Sequence, residues 1–311
     1  MNFGKRTTEA EAHRIISRAL DAGITHIDTA NAYVDGESER IVGRALAGRR
    51  DSALIATKVG LSRIGGTLTG LFRTGGRSEG LSRERILRAC DESLERLGTD
   101  HVDLYYLHVP DAATPIEESL SAIVELLAAG KIRAWAVSNY ASWQILEMIG
   151  WCDRNGAPRP VVAQQMYNLL VRQLDVEYFA FAHKYGLHTA TYNPLAGGLL
   201  TGAYSPGEPA RGSRFDANPT YQKRYWTERL HTEVDEYRRL ASELGMSLVT
   251  LSYAWLASRP GVDSILVGPG TVAHLDDAIE ACSRRLDPAV LSRIDELYRA
   301  HQGTDAVYAR I

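Results

Sequence analysis

A chain of 311 residues, 45% hydrophobic and 23% charged, can bury a sizeable core as one barrel or as two smaller domains. Its formal net charge of −3 and the lack of a long Lys/Arg block speak against a nucleic-acid surface, and no apolar run reaches the ~20 residues of a membrane helix. Cys90, Cys152 and Cys282 lack the spacing of a zinc site or a disulfide framework, and the N-terminus lacks a basic-then-apolar signal, so the expected setting is the cytoplasm, with reduced thiols and a small-molecule partner.

In chain order, residues 8–22 read as a helix closed by Gly23. The run from His26 to Tyr33 reads as a short buried strand ending in polar residues, with the Asp28 carboxylate at its tip and the Tyr33 phenol five positions on. A second helix spans 37–46, and the strand 53–58 ends in Lys58. Residues 59–81 hold Gly60, Gly65, Gly66, Gly70, Gly75, Gly76 and Gly80, too many for a stable helix. They read first as a surface loop and second as a lid over a substrate.

Ser82 caps a helix that runs to Leu97 with apolar positions at helical spacing, ending at Gly98. The strand 102–107 leads into His108, and Pro115 opens a helix to 129. The strand 132–137 ends at Ser138-Asn139, followed by helix 142–152, strand 161–165, helix 176–185 and strand 188–192. A seventh strand at 264–267 and a helix at 272–282 complete the pattern. Strand and helix alternate with no linker between them, so the expectation is one α/β domain over 1–311, a (β/α)8 TIM-type barrel with its site at the C-terminal rim.

Asp28, Lys58 and His108 stand at the same end of successive strands. Each alone is ordinarily a solvated or satisfied rim residue, but together they can converge on Tyr33. A phenol with pKa near ~10 is a poor acid at neutral pH unless a cation stabilises its phenolate. Lys58 supplies that cation, Asp28 holds Lys58 protonated and in place, and His108 orients a carbonyl oxygen. A non-redox alternative makes Lys58 the Schiff-base lysine of a barrel aldolase, against which the Tyr33 and Asp28 partners argue. No Gly-x-Gly-x-x-Gly follows an early strand, so a Rossmann mode is not supported.

Asp28, Tyr33, Lys58 and His108, in that order and on those strands, resemble the tetrad of the aldo-keto reductase superfamily. Leu107-His108-Val109-Pro110-Asp111, Ser138-Asn139-Tyr140-Ala141, Met166-Tyr167-Asn168 and the run from Tyr192 to Gly202 are similar to its aflatoxin-aldehyde and succinic-semialdehyde reductase branch. The resemblance covers nearly the whole chain. It implies NAD(P)H-dependent reduction of an aldehyde or ketone, with Tyr33 as proton donor. A nucleotide-binding regulatory subunit with little turnover and a keto-sugar or enoyl reductase are the alternatives within the superfamily.

The resemblance also assigns binding residues. Ser138, Asn139 and Gln164 would bind the nicotinamide carboxamide, and Tyr192 would stack on the ring. The stretch containing Asn193, Leu195, Gly197 and Leu199 leads to a loop over the pyrophosphate, with Arg214 as its cation. Gly268, Gly270, His274 and Asp277 fall where the adenosine end is held, at a helix start suited to a phosphate. At the last three the chain departs from the family pattern, so NADPH is expected and NADH stays open. For the substrate, Arg310 and Tyr308 match the C-terminal arginine and tyrosine of that branch, and Arg224 is a second anchor for an acidic aldehyde; a solvated tail is the alternative. Residues 1–4 match only the end of the family's first barrel strand. The barrel is therefore expected to lack most of that strand, with either weak cofactor affinity or a partner chain, as in a homo-oligomer, covering the neighbouring edges.

Overall fold

The computed structural model describes residues 2–64, 67–69, 80–209, 211–216 and 218–302. The chain forms two compact units. The first comprises residues 1–165, 186–188 and 268–275, and the second residues 166–185, 189–267 and 276–311.

The first unit begins with turns and an isolated bridge between Phe3 and Thr7. Helix α1 (Glu9–Asp21) follows, its first turn capped by the Thr8 hydroxyl accepting from Glu11 N. Then come β1 (His26–Asp28), α2 (Glu37–Ala45) and β2 (Leu54–Val59). An antiparallel pair, β3 (Ser62–Ile64) and β4 (Thr67–Thr69), leads toward α3 (Arg83–Leu97). The rest of this unit is β5 (Val102–Leu107), α4 (Ile116–Ala128), β6 (Ile132–Ser138), α5 (Ser142–Asn155) and most of β7 (Val162–Met166). Strands β1, β2, β5, β6 and β7 pair in that order, all parallel.

Side chains alternate between the two faces of this sheet. On one face Ala56, Tyr106 and Ala136 pack together with Leu104 and Val162. On the same face, two residues further along, Lys58, His108 and Ser138 follow them. The register Ala56↔Leu104 and Val137↔Ala163 brings the strands' C-terminal ends level, so polar side chains gather there.

The second unit contains α6 (Tyr178–Tyr185), β8 (His188–Tyr192), α7 (Pro219–Tyr225), α8 (Glu228–Glu243), α9 (Leu248–Ser258), β9 (Ser264–Ile265), most of α10 (Val272–Ser283) and α11 (Pro288–Gln302). β8 and β9 run parallel. Its core joins Tyr167, Phe215, Tyr225, Tyr237, Trp255 and Ile294 with a dozen aliphatic neighbours.

The alternation is that of an α/β fold of the (β/α)8 type. Among the described residues the first unit holds five parallel strands and the second a parallel pair, and none precedes α1. Residues 59–81 are not wholly irregular, since β3 and β4 flank the Gly65-Gly66 dipeptide; two short alternating runs around Gly-Gly are a hairpin signal. Residues 70–79 lie outside the described residues, as do Tyr308 and Arg310. No described helix is long and apolar enough to cross a membrane.

Candidate active site

Four side chains of the first unit converge at the strand ends. Lys58 is fully buried, and its Nζ donates to an Asp28 carboxylate oxygen and, at 2.7 Å, to the Thr29 carbonyl. The same Nζ lies 5.3 Å from the centroid of the Tyr33 ring and 5.3 Å from that of Tyr106, so the charge sits between two phenols. The Tyr33 and His108 rings meet edge to face with centroids 5.8 Å apart. Burial lowers the pKa of the Lys58 ammonium, and the Asp28 charge opposes that shift. Burial, reinforced by the Lys58 charge, drives the His108 pKa well below the usual histidine value, so its imidazole is neutral at physiological pH.

Tyr33 is held by a loop. Its N–H donates to the Ala30 carbonyl (3.0 Å), and the next three residues, Val34, Asp35 and Gly36, all have positive φ. A β-branched valine at φ 52° is an outlier that only surrounding structure sustains. The turn brings the chain back over the strand tips and starts α2 at Glu37.

Beside this group, Gln164 Nε2 donates to Asp28 Oδ2 (3.0 Å), and Ser138 Oγ donates to the Gln164 carbonyl (2.9 Å). Asn139 adopts φ 65°, a conformation asparagine tolerates, and its Nδ2 reaches the His108 carbonyl (2.9 Å) and Ser138 Oγ (3.0 Å). Two side-chain amides and a hydroxyl, each both donor and acceptor, suit a carboxamide group, which itself needs one of each. His108 Nδ1 is buried without a hydrogen-bond partner among the described residues. Together these features fit a nicotinamide and a polarised carbonyl.

The second unit gathers other expected residues around Tyr221. The Arg214 guanidinium lies 5.6 Å from that ring, and the Arg224 guanidinium lies 5.9 Å from both it and Tyr225. Burial pushes the Tyr192 phenol up to about 12, with Arg224 pulling it back. Asn193, at φ 66°, links Gly197 N (3.1 Å, accepting) to the Tyr225 hydroxyl (2.9 Å, donating). Gly197 combines φ 72° with a Tyr221 ring atom 2.7 Å from where a Cβ would sit, so only glycine passes there. Leu199 is fully buried in the apolar core, leaving only its backbone for a ligand, and Leu195 packs partly buried against the same core.

Gly268 and Gly270 give their carbonyls to Asn2 Nδ2 (3.1 Å) and Thr7 Oγ1 (3.2 Å). His274 packs over Gly270, and its N–H donates to Thr271 Oγ1 (3.3 Å). At the start of α10, Val272 N donates to Glu11 Oε1 (2.9 Å), so a carboxylate of this chain already occupies the position expected for a phosphate. Asp277 follows on α10 in the second unit.

Sequence reasoning passed over Tyr106, which lies two residues before His108 on the same strand face, the period-2 signal that would have found it. A cleft of about 560 Å³ between α2 and α3, lined by Arg40, Arg44, Arg96, Glu92 and Glu95 among others, belongs to the opposite, helix-covered side of the sheet. It holds none of the four converging side chains.

A family model described as the aldo/keto reductase family matches residues 1–299. The chain is 33% identical over 309 residues to a probable voltage-gated potassium channel subunit beta of Arabidopsis thaliana, covering 96% of this chain and 91% of that protein. It is 33% identical over 325 residues to aflatoxin B1 aldehyde reductase member 2 of Homo sapiens, covering 97% and 86%. With the uncharacterized oxidoreductase YrpG of Bacillus subtilis it shares 32% over 317 residues, covering 99% and 94%.

Proposed function

The chain belongs to the aldo/keto reductase family and is an oxidoreductase of carbonyl compounds; we propose that it reduces an aldehyde or ketone to the alcohol with Tyr33 as the proton donor. The observation that carries this is the Lys58 ammonium, fully buried, bound to Asp28 and 5.3 Å from the Tyr33 ring, with the neutral His108 ring at its edge. A reduced nicotinamide nucleotide, the usual cofactor of the family, supplies the hydride when bound. The residues of this chain do the rest. His108, neutral, gives an N–H to the carbonyl oxygen and orients it. The Lys58 charge favours the Tyr33 phenolate, so the phenol releases its proton to that oxygen as negative charge develops there. Asp28 fixes the Lys58 head group, and Gln164 fixes Asp28.

Ser138, Asn139 and Gln164 hold the carboxamide, and Tyr192 covers the ring. Arg214 meets the pyrophosphate, with Asn193, Leu195, Gly197 and Leu199 offering backbone to it. Gly268, Gly270, His274 and Asp277 take the adenosine end. We take NADPH as the nucleotide with NADH left open, since Glu11 already engages the start of α10, residues 1–311 as one barrel domain, and the cytoplasm as its location; the family match over 1–299 supports the domain reading. Arg224, Tyr308 and Arg310 are assigned to an acidic substrate.

A second reading draws on the relative named as a probable channel subunit beta: the chain binds nucleotide and turns over little. Nucleotide titration followed by cofactor fluorescence, then an aldehyde panel read by absorbance of the reduced cofactor, decides between them. Binding with turnover supports the reductase; binding with none across the panel supports the second reading.

A further inference from the structure

We propose that Ser38 and Glu39, on the first turn of α2, form a two-armed clamp that positions Tyr33 against Lys58, which makes them positioning residues for the reaction proposed above. The inference rests on that reading for its kinetic consequence but not for its geometry.

Glu39 is a fully buried carboxylate with no part in the chemistry described so far. It accepts a 2.5 Å hydrogen bond from Thr57 Oγ1, and Arg96 Nε on α3 donates to its other oxygen at 2.5 Å. Thr57 is also fully buried and immediately precedes Lys58 on β2, pointing to the opposite face of the strand. The neighbouring Ser38 makes the second arm, its hydroxyl 2.8 Å from that of Thr29, the residue immediately after Asp28. Thr29 in turn gives its carbonyl to Lys58 Nζ (2.7 Å). One helical turn thus grips the outer sides of two strands at the residues flanking Asp28 and Lys58.

Tyr33 lies between the grip and the site. Three residues of positive φ separate it from α2, and Ser38 N donates back to the Tyr33 carbonyl at 3.3 Å. A loop strained in this way does not hold a side chain by itself; its two ends must be fixed. β1 fixes the first end and the clamp fixes the second. Gly36 completes the device: at φ 83°, a Cβ there would stand 2.6 Å from Arg96 Cδ, so the missing side chain is what admits Arg96 to Glu39. The Glu39 charge also opposes the effect of burial on Lys58, a smaller contribution than that of Asp28.

The test uses Thr57→Val, which keeps volume and removes the arm, Thr57→Ser, which restores the hydroxyl, and Ser38→Ala, which removes the other arm. Tyr33 ionisation is read from the NMR signal of tyrosine labelled at the ring carbon bearing oxygen, assigned by its loss in Tyr33→Phe. Aldehyde reduction and nucleotide Kd are measured alongside. Thr57→Val should lower kcat by about tenfold or more, since misplacing a reacting group is costly, with Kd for nucleotide unchanged. It should also move Tyr33 ionisation to higher pH, and Thr57→Ser should return both. Ser38→Ala should move both in the same direction, and it carries the test if Thr57→Val does not fold. If the variants only lower Tm while kcat and the Tyr33 titration stay at wild-type values, the clamp is a packing feature and the proposal is overturned. If the wild type itself reduces no aldehyde, the proposed reaction fails, and the Tyr33 titration alone supports or overturns the clamp.

Discussion

Each of the two units buries a cation against aromatic rings with carboxylate support, one carboxylate in the first and two in the second, and the two do opposite things with it. In the first unit Lys58 has Asp28 on one side and the rings of Tyr33 and Tyr106 on the others. In the second, Arg172, 4% exposed, pairs with Asp175 (3.0 Å) and Asp295 (2.6 Å) and stacks on Trp255 (4.9 Å) and Tyr298 (4.4 Å). Arg259 adds a second guanidinium to the same two carboxylates. Burial lowers the lysine's pKa despite Asp28; burial also works against the arginine, but Asp175, Tyr167 and Asp295 outweigh it and raise its pKa. An ammonium is a point charge whose proton can be tuned, whereas a guanidinium stays charged and forks between carboxylates. The first arrangement suits chemistry and the second suits holding the turn at Asp175 to α9 and α11.

That contrast can be broken by removing each cation. Lys58→Met should lower kcat/KM for aldehydes by on the order of 10²–10⁴, the usual worth of a supported proton donor, with a small change in urea unfolding. A variant within threefold of wild type would place the cation outside the mechanism. Arg172→Met should do the reverse, costing about 3–5 kcal/mol of stability because Asp175 and Asp295 lose their main partner. Its kcat per folded molecule should hold, and a loss below about 1 kcal/mol would make the network a surface-like one.

Glu233 sharpens the comparison on a smaller scale. It is a buried carboxylate of α8 with Arg229 3.2 Å away, and burial pushes its pKa to about 7. Between pH 4.5 and 7 the folded state then holds a proton that the unfolded state has released, so stability falls as pH rises through that window. Glu233→Gln should remove this slope and gain on the order of 3 kcal/mol at most at pH 8, with little gain at pH 4.5. Equal melting shifts at both values would show that the carboxyl does not titrate there.

The smallest effect is on the pH profile. Because burial lowers the Lys58 pKa, its charge is lost at a pH below the ordinary lysine range, and reduction should decline on the alkaline side before 10.5. His108, already neutral, should add no acid limb near 6.5. A profile with a break near 6.5 that disappears in His108→Gln would reverse that assignment.

Much of the first unit was legible because its signals are local. Thr8 and Ser82 cap the helices expected after them, Gly98 ends α3 at φ 64°, and Asp28, Lys58 and His108 stand at strand tips as the period-2 pattern requires. The stretch 219–258 was not legible. α9 buries Leu248, Leu251, Ser252, Tyr253, Ala254, Trp255 and Leu256, a helix apolar nearly all round that carries no face to detect. Glu39 was hidden for another reason: a glutamate in a first helical turn ordinarily faces water, and only Thr57 and Arg96, 18 and 57 residues away, make it a buried partner. The antiparallel pairing of 62–64 with 67–69 was hidden by the glycine count around it.

The most direct test is Tyr33→Phe, measured in one cuvette for nucleotide binding by fluorescence and for oxidation of the reduced nucleotide by an aldehyde. Nucleotide Kd should match wild type, while single-turnover oxidation should slow by on the order of 10²–10⁴, since the proton donor is gone and the cofactor pocket is intact. A Tyr33→Phe enzyme that binds nucleotide and reduces the aldehyde at the wild-type rate would contradict the assignment of Tyr33 as the acid.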